Sequence, residues 1–309
     1  MKLAIIGLGK MGANMARRLK EGNMDVVAFN RDPQKTRDLA DEIGVEPAFH
    51  ITEVVGKLDR PRIVWSMVPA GATTRNVAKE FFPLLEQDDI FIDGGNSYYK
   101  DSIELARMFA ERKIHFLDVG VSGGIWGLKE GYSLMIGGER ETAQYVAPIF
   151  EILAPAKDKG WGYVGPHGAG HFVKMVHNGI EYGMMEALAE GFELMHAKEE
   201  FKLDLEEISR IWQDGSVVRS WLLDLTRDAL SEDKDLAGIE SWVDDSGEGR
   251  WTVLESIDLS VPTPIITDSL YRRFDSRQKE GFALKLLAAM RSKFGGHAIK
   301  KKDERGRRS

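Results

Sequence analysis

The sequence predicts an α/β N-terminal domain built on a mostly parallel sheet, residues 1–166, followed by an all-α C-terminal domain, residues 167–309. Short apolar runs alternate with amphipathic stretches as far as Gly165, the pattern of successive βαβ units. A glycine-rich stretch from Gly160 to Gly170 then punctuates the chain. From about His171 onward the apolar period becomes helical.

Taken in order, the strand candidates are Lys2–Gly7, Val26–Asn30, Ile63–Val68, Ile90–Asp93, His115–Val119 and Ser133–Ile136. Helical patterns such as Met11–Glu21 and Gln34–Ile43 lie between several of them. In the second half, Phe172–Ala197 is a long helix candidate without proline, followed by Leu205–Asp214, Val217–Leu230 and Pro264–Arg291. An acidic, glycine-dotted loop is expected over Ser231–Glu248, with seven acidic residues and one basic.

Composition narrows the function classes. A chain of 309 residues with 43% hydrophobic residues is about two domains long and can bury a sizeable core. The absence of cysteine excludes disulfides, thiolate zinc sites, iron–sulfur clusters and thiol nucleophiles. No apolar run approaches the roughly 18 residues of a membrane span, and the start turns glycine-rich before it could serve as a signal peptide. The expectation is a soluble, cytoplasmic protein. Net charge is −7, yet Lys300–Ser309 carries six basic and two acidic side chains. The acidic body argues against nucleic acid as the main partner, and the basic end is expected to be a solvated tail.

Gly7-Leu8-Gly9-Lys10-Met11-Gly12 fits G-x-G-x-x-G, follows a strand and opens a helix, which is the context a dinucleotide-binding loop requires. The first glycine permits the turn, the second admits a pyrophosphate close to backbone, and the third lets helix pack on strand. The first domain is therefore expected to be of Rossmann type. At the end of the second strand stand Asn30, Arg31 and Asp32. Arginine there suits the 2′-phosphate of NADP, whereas an inward-facing carboxylate suits NAD. The reading favours NADP and keeps NAD open.

On the long helix, Lys174, His177, Asn178, Glu181 and Tyr182 share one face at i, i+3, i+4, i+7 and i+8. The surrounding positions are apolar, so the helix is expected to be buried with a polar stripe facing a cleft. The stripe holds a lysine able to act as base, a carboxyl able to act as acid, and groups able to orient a substrate. Gly179, costly in a helix interior, implies that something approaches closely. His167 and His171 are four apart, but glycines between them make no clean ligand set, and no metal is assigned.

These residues resemble those of the decarboxylating 6-phosphogluconate dehydrogenase family. The stretch from Gly170 to Tyr182 resembles its catalytic helix. Asp93-Gly94-Gly95-Asn96-Ser97 resembles its loop between cofactor and substrate, and Gly120-Val121-Ser122-Gly123-Gly124 its substrate loop. Gly249-Arg250-Trp251-Thr252 resembles its phosphate motif, and Arg291 to His297 its C-terminal tail. The length resembles the family's short form. Arg250 and Pro69 stand where the long form has lysine.

The resemblance implies a substrate, 6-phosphogluconate, and roles for named residues. Lys174 would remove the C3 hydroxyl proton and then assist decarboxylation, and Glu181 would protonate the resulting enediol at C1 of the product, ribulose 5-phosphate. Asn96, Ser122, Gly123, Gly124, His177 and Asn178 would hold the carboxylate and hydroxyls. Tyr182, Arg250, Thr252, Arg273, Arg291 and His297 would hold the phosphate. The cofactor would be held by Gly7 to Gly12, Asn30, Arg31, Asp32, Val68, Pro69, Ala70 and Asn96. It also implies a homodimer or higher homo-oligomer in which Arg291 and His297 complete the neighbour's site. Lys174 and Asn178 would equally fit a 3-hydroxy acid dehydrogenase of the related β-hydroxyacid family. His177, Glu181-Tyr182, Arg250-x-Thr252 and the Arg291/His297 pair argue against that alternative.

Overall fold

Alternating apolar runs in the first half form one sheet in this computed structural model, which describes residues 1–278, 280–296 and 298–300. The elements run β1 (Lys2–Ile6), α1 (Lys10–Glu21), β2 (Asp25–Phe29), α2 (Pro33–Ile43), β3 (Glu46–Ala48), α3 (Ile51–Gly56), β4 (Ile63–Ser66), α4 (Ala72–Phe81), β5 (Ile90–Asp93) and α5 (Tyr99–Ala110). Then follow β6 (His115–Ser122), a 3₁₀ turn at Gly124–Trp126, α6 (Gly127–Glu130), β7 (Ser133–Gly138), α7 (Arg140–Tyr145), α8 (Ala147–Leu153) and β8 (Trp161–Gly165). The order in the sheet is β3-β2-β1-β4-β5-β6-β7-β8. Neighbours are parallel except β6 and β7.

Successive strand residues point to opposite faces, and the core divides accordingly. Leu3, Ile5, Trp65 and Leu117 belong to one buried cluster. Ala4, Ile6, Phe91 and Phe116 belong to the other.

The helical elements are α9 (Ala169–His196), α10 (Leu205–Trp212), α11 (Trp221–Glu232), α12 (Gly247–Asp258), α13 (Pro264–Ser276) and α14 (Phe282–Gly295). Packing groups Met1–Met184 with Ser246–Ile266 in one unit, and Met185–Asp245 with the segment from Thr267 onward in another. The sheet thus shares its unit with the first half of α9 and with α12.

Several elements differ from expectation for local reasons. The three-residue β3 contains Pro47 and is too short to show a period. β8 lies inside the glycine-rich punctuation, pairing with β7 along Trp161–Tyr163. The expected helix Val217–Leu230 begins later, because Ser220 accepts the amide of Leu223 (3.2 Å) as an N-cap. The expected helix Pro264–Arg291 is two helices, with Gly281 in extended backbone capping the second. The acidic loop ends before Glu248, which lies in α12 despite the glycines at 247 and 249. His297 and the tail over 301–309 lie outside the described residues.

Candidate active site

β1 ends at Ile6 and the chain turns through Gly7 into α1. A Cβ at Gly12 would stand 2.0 Å from the Gly7 carbonyl oxygen, so helix and strand meet backbone to backbone. At Gly9, the N-cap of α1, nothing lies within 4 Å of a built Cβ. No acidic residue occupies the first turn of α1, so its unpaired amides favour an anion. Asn30 braces the loop, its Oδ1 accepting the Leu8 amide at 2.9 Å.

A cleft of about 710 Å³ opens beside this turn. Gly7, Gly9, Met11, Gly12, Asn30, Arg31, Asp32, Val68, Pro69 and Asn96 line it. Leu8, Lys10 and Ala70 adjoin lining residues. Asp32 caps α2, its Oδ1 accepting the Gln34 amide at 3.0 Å. The open glycine turn and the cleft beyond it fit a dinucleotide.

The start of α9 is fixed to the sheet by Asp118 of β6, which is fully buried. Its two carboxylate oxygens accept the amides of Gly168 (2.7 Å) and His171 (2.9 Å), satisfying amides at the helix start. One turn on, Lys174 packs on Gly120, where a Cβ would meet its own Cβ at 2.5 Å. Lys174 is 5% exposed. Its Nζ donates to Asn178 Oδ1 at 2.6 Å. His177 Nδ1 lies 3.0 Å from the same oxygen and 3.9 Å from Glu181 Oε2. Four of the five residues of the predicted stripe, Lys174, His177, Asn178 and Glu181, thus form a connected polar row.

Asn96, after β5, clamps the end of β6. Its Oδ1 accepts the Val121 amide (2.9 Å) and its Nδ2 donates to the Val121 carbonyl (3.0 Å). The clamp holds Asn96 at φ 53°, a conformation that asparagine tolerates better than most residues. The close approach implied by Gly179 is Thr252 of α12, whose Cγ2 would stand 2.7 Å from a Cβ there.

Burial pushes the Lys174 ammonium below its ordinary pKa, while Glu181 and Glu248 pull the other way. The neutral amine is favoured because an ammonium loses its hydration in the protein. With one N–H directed to Asn178, a neutral Nζ keeps its lone pair for a substrate proton.

The segment over residues 2–165 matches the profile described as the NAD binding domain of 6-phosphogluconate dehydrogenase. Residues 170–283 match that of the enzyme's C-terminal domain. The chain belongs to the 6-phosphogluconate dehydrogenase family. An NAD(+)-dependent, decarboxylating 6-phosphogluconate dehydrogenase of Haloferax volcanii is 39% identical over 305 residues, covering 98% of this chain and 100% of the relative. An NADP(+)-dependent one of Bacillus subtilis is 38% identical over 293 residues, covering 90% of this chain and 62% of the relative. A solved Plasmodium falciparum 6-phosphogluconate dehydrogenase superposes with a TM-score of 0.82 at 28% identity, over 98% of this chain and 67% of that one. The chain is accordingly an oxidoreductase with an NAD(P)-binding domain.

The remaining residues that the family resemblance singled out divide by location. Ser122, Gly123 and Gly124 follow directly from the Asn96 clamp. Tyr182 is buried, and its hydroxyl accepts the Ser246 amide (2.6 Å) at the N-cap of α12. Thr252 Oγ1 stands 2.8 Å from both the Met175 and Glu248 carbonyl oxygens and donates to one of them at a time. Arg250 lies on α12, Arg273 on α13 and Arg291 on α14. Arg273 Nη1 donates to the Asp244 carbonyl at 2.8 Å.

His171 Nδ1 pairs with Ser102 Oγ (2.7 Å), and His167 Nε2 lies 3.2 Å from Glu139 Oε1. The two histidines thus serve separate contacts. The expectation that the long helix is buried outside its polar stripe needs correction. Val173, Ile180 and Met184, which share one side of the helix, are 37%, 52% and 44% exposed.

Asp118, Glu248 and the role of Gly120 escaped the sequence reading. An aspartate inside the apolar run Phe116-Leu117-Asp118-Val119 was the available signal for the first.

Proposed function

We propose that this chain oxidises 6-phosphogluconate at C3, releases carbon dioxide and forms ribulose 5-phosphate, with NADP favoured over NAD as hydride acceptor. The observation that carries the mechanism is Lys174, buried against Gly120 and hydrogen-bonded to Asn178. The bound nicotinamide supplies hydride acceptance; the chain supplies positioning and proton transfer. Lys174 takes the C3 hydroxyl proton at Nζ. As an ammonium it then donates to the carbonyl oxygen at C3 and steadies the charge that builds as the carboxylate leaves. Glu181, at the far end of the polar row, returns a proton to C2 of the substrate, which becomes C1 of ribulose 5-phosphate.

Asn96, Ser122, Gly123, Gly124, His177 and Asn178 are proposed to hold the carboxylate and hydroxyls. Tyr182, Arg250, Thr252, Arg273, Arg291 and His297 are proposed for the phosphate. We assign dinucleotide binding to 1–166 and substrate binding with assembly to 167–309. The NADP preference rests on Arg31 and Lys35 at the cleft, set against two carboxylates there, Glu80 and Asp32, the latter engaged as a helix cap. A homodimer is proposed because α14 has no buried residue and leaves Phe282, Leu286, Leu287, Met290 and Phe294 exposed.

The test follows nicotinamide reduction and carbon dioxide release together, with 6-phosphogluconate and either dinucleotide. Equal amounts of both products are expected. Reduction without carbon dioxide would remove Glu181 and the decarboxylation step from the proposal. Turnover only of an unphosphorylated 3-hydroxy acid would replace the substrate, and equal or better use of NAD would overturn the cofactor preference.

A further inference from the structure

The turn after β6 exposes two large apolar side chains beside the proposed substrate loop. Ile125 is 59% and Trp126 42% exposed, directly after Gly123 and Gly124. Apolar side chains of this size scattered singly on a surface need no explanation, but these two are adjacent and their backbone is firmly held. Gly123 (φ 127°) and Gly124 (φ 52°) take conformations that side chains disfavour. Gly127 lies flat on the Tyr132 ring, where a Cβ would come within 2.0 Å, and Tyr132 is itself fully buried. Arg18 of α1 donates to the Leu128 carbonyl (3.2 Å), and its other nitrogens are fixed on the carbonyls of Ile152 to Ala154. Asn14 of α1 donates to the Ile125 carbonyl at 3.4 Å.

This turn therefore touches α1 at Asn14 and leaves β6 at Ser122. On the reading proposed above, those are the two landmarks between which the reactive end of the dinucleotide must lie. Its pyrophosphate belongs at the N-terminus of α1, and its ring must reach Lys174, which packs on Gly120 of β6. A sugar acid, covered with hydroxyls and charge, would lose hydration against isoleucine and tryptophan. A flat aromatic ring would gain contact there.

We propose that Trp126, with Ile125 beside it, packs against the nicotinamide ring of the bound dinucleotide and shields that side of the ring from water. Trp126 is then a cofactor-binding residue outside the glycine turn, and it recognises only the nicotinamide end.

Because the inference concerns one end of the cofactor, its test compares two ligands. Trp126→Ala should weaken binding of the reduced dinucleotide about tenfold, the scale of one lost aromatic stack. It should leave binding of ADP-ribose, which lacks the nicotinamide, unchanged. Trp126→Phe should restore most of the affinity yet reduce the emission of the bound dihydronicotinamide excited through tryptophan. Equal weakening of both ligands would show that the turn merely supports the fold, and unchanged affinity with unchanged sensitised emission would place the ring elsewhere. A wild-type chain that binds ADP-ribose but shows no turnover of 6-phosphogluconate would overturn the proposed reaction while leaving this contact measurable.

Discussion

The sheet-bearing unit closes its own core, and the unit from Met185 onward leaves much of its apolar surface open. The largest fully buried side chains, from Trp65 and Tyr132 to Phe116 and Phe150, all lie in the former. The latter buries a small cluster of Phe192, Leu223 and Leu230. Val217 is 99%, Phe282 77% and Phe294 97% exposed. Burial of apolar area drives both folding and association. A unit that hides its apolar groups can be stable alone, whereas one that displays them is shaped for another surface. The proposed base belongs to the first kind of environment, where burial against a fixed wall lowers the pKa of its ammonium.

The strongest way to break this contrast is to remove Lys174. Lys174→Met should lower kcat by about 10²–10⁴-fold, the range for a lost general base, while dinucleotide affinity stays unchanged. It should also raise Tm at neutral pH. The sign follows from linkage: with the folded pKa depressed, the unfolded chain binds more protons between that pKa and the ordinary lysine value. Stability of the wild type therefore rises with pH across that window, and the variant should lose this slope. Equal Tm values for the two proteins at neutral pH would contradict a dry site.

The open unit is probed by Leu287→Glu together with Phe294→Glu on α14. Sedimentation should show dissociation to monomers, with activity falling in parallel. A double variant that remains assembled would place the interface elsewhere, and a monomer with full activity would remove the shared site.

A smaller effect tests packing within the first unit. Gly179→Ala forces a methyl against Thr252 and should cost about 1–3 kcal/mol, the usual penalty of overpacking, measured by denaturant unfolding. The smallest expected change is a pH shift. Glu248→Gln removes an anion that favours the Lys174 ammonium. The acidic limb of the kcat/KM profile should move to lower pH, and an unmoved limb would show that Glu248 does not act on Lys174.

Legibility in the sequence followed the range of the interaction involved. The glycine turn, the parallel strands and the polar stripe on α9 were legible because their periods and spacings are local. α12 was not, since Gly249 there is fitted to the Tyr182 ring, which a built Cβ would approach to 2.5 Å, and no local propensity records that contact. Asp32 illustrates the same limit: its type suggested a ribose partner, and its side chain caps α2. The environment of Lys174 depends on Gly120 and Glu248, respectively 54 residues before it and 74 after it in the chain.

The two bonds from Asp118 to the start of α9 also say where the chain can change length. They set the rotation of the helix at its first turn, and each residue advances that rotation by about 100°. One residue inserted between His171 and Lys174 would swing the amine away from Gly120, whereas additions beyond Glu181 would leave its bearing untouched. The Bacillus relative, of which this chain covers 62%, shows that much additional chain can be carried alongside the matched part. A graded series of single-residue insertions along α9 should therefore be lethal to turnover between His171 and Tyr182 and milder beyond Tyr182.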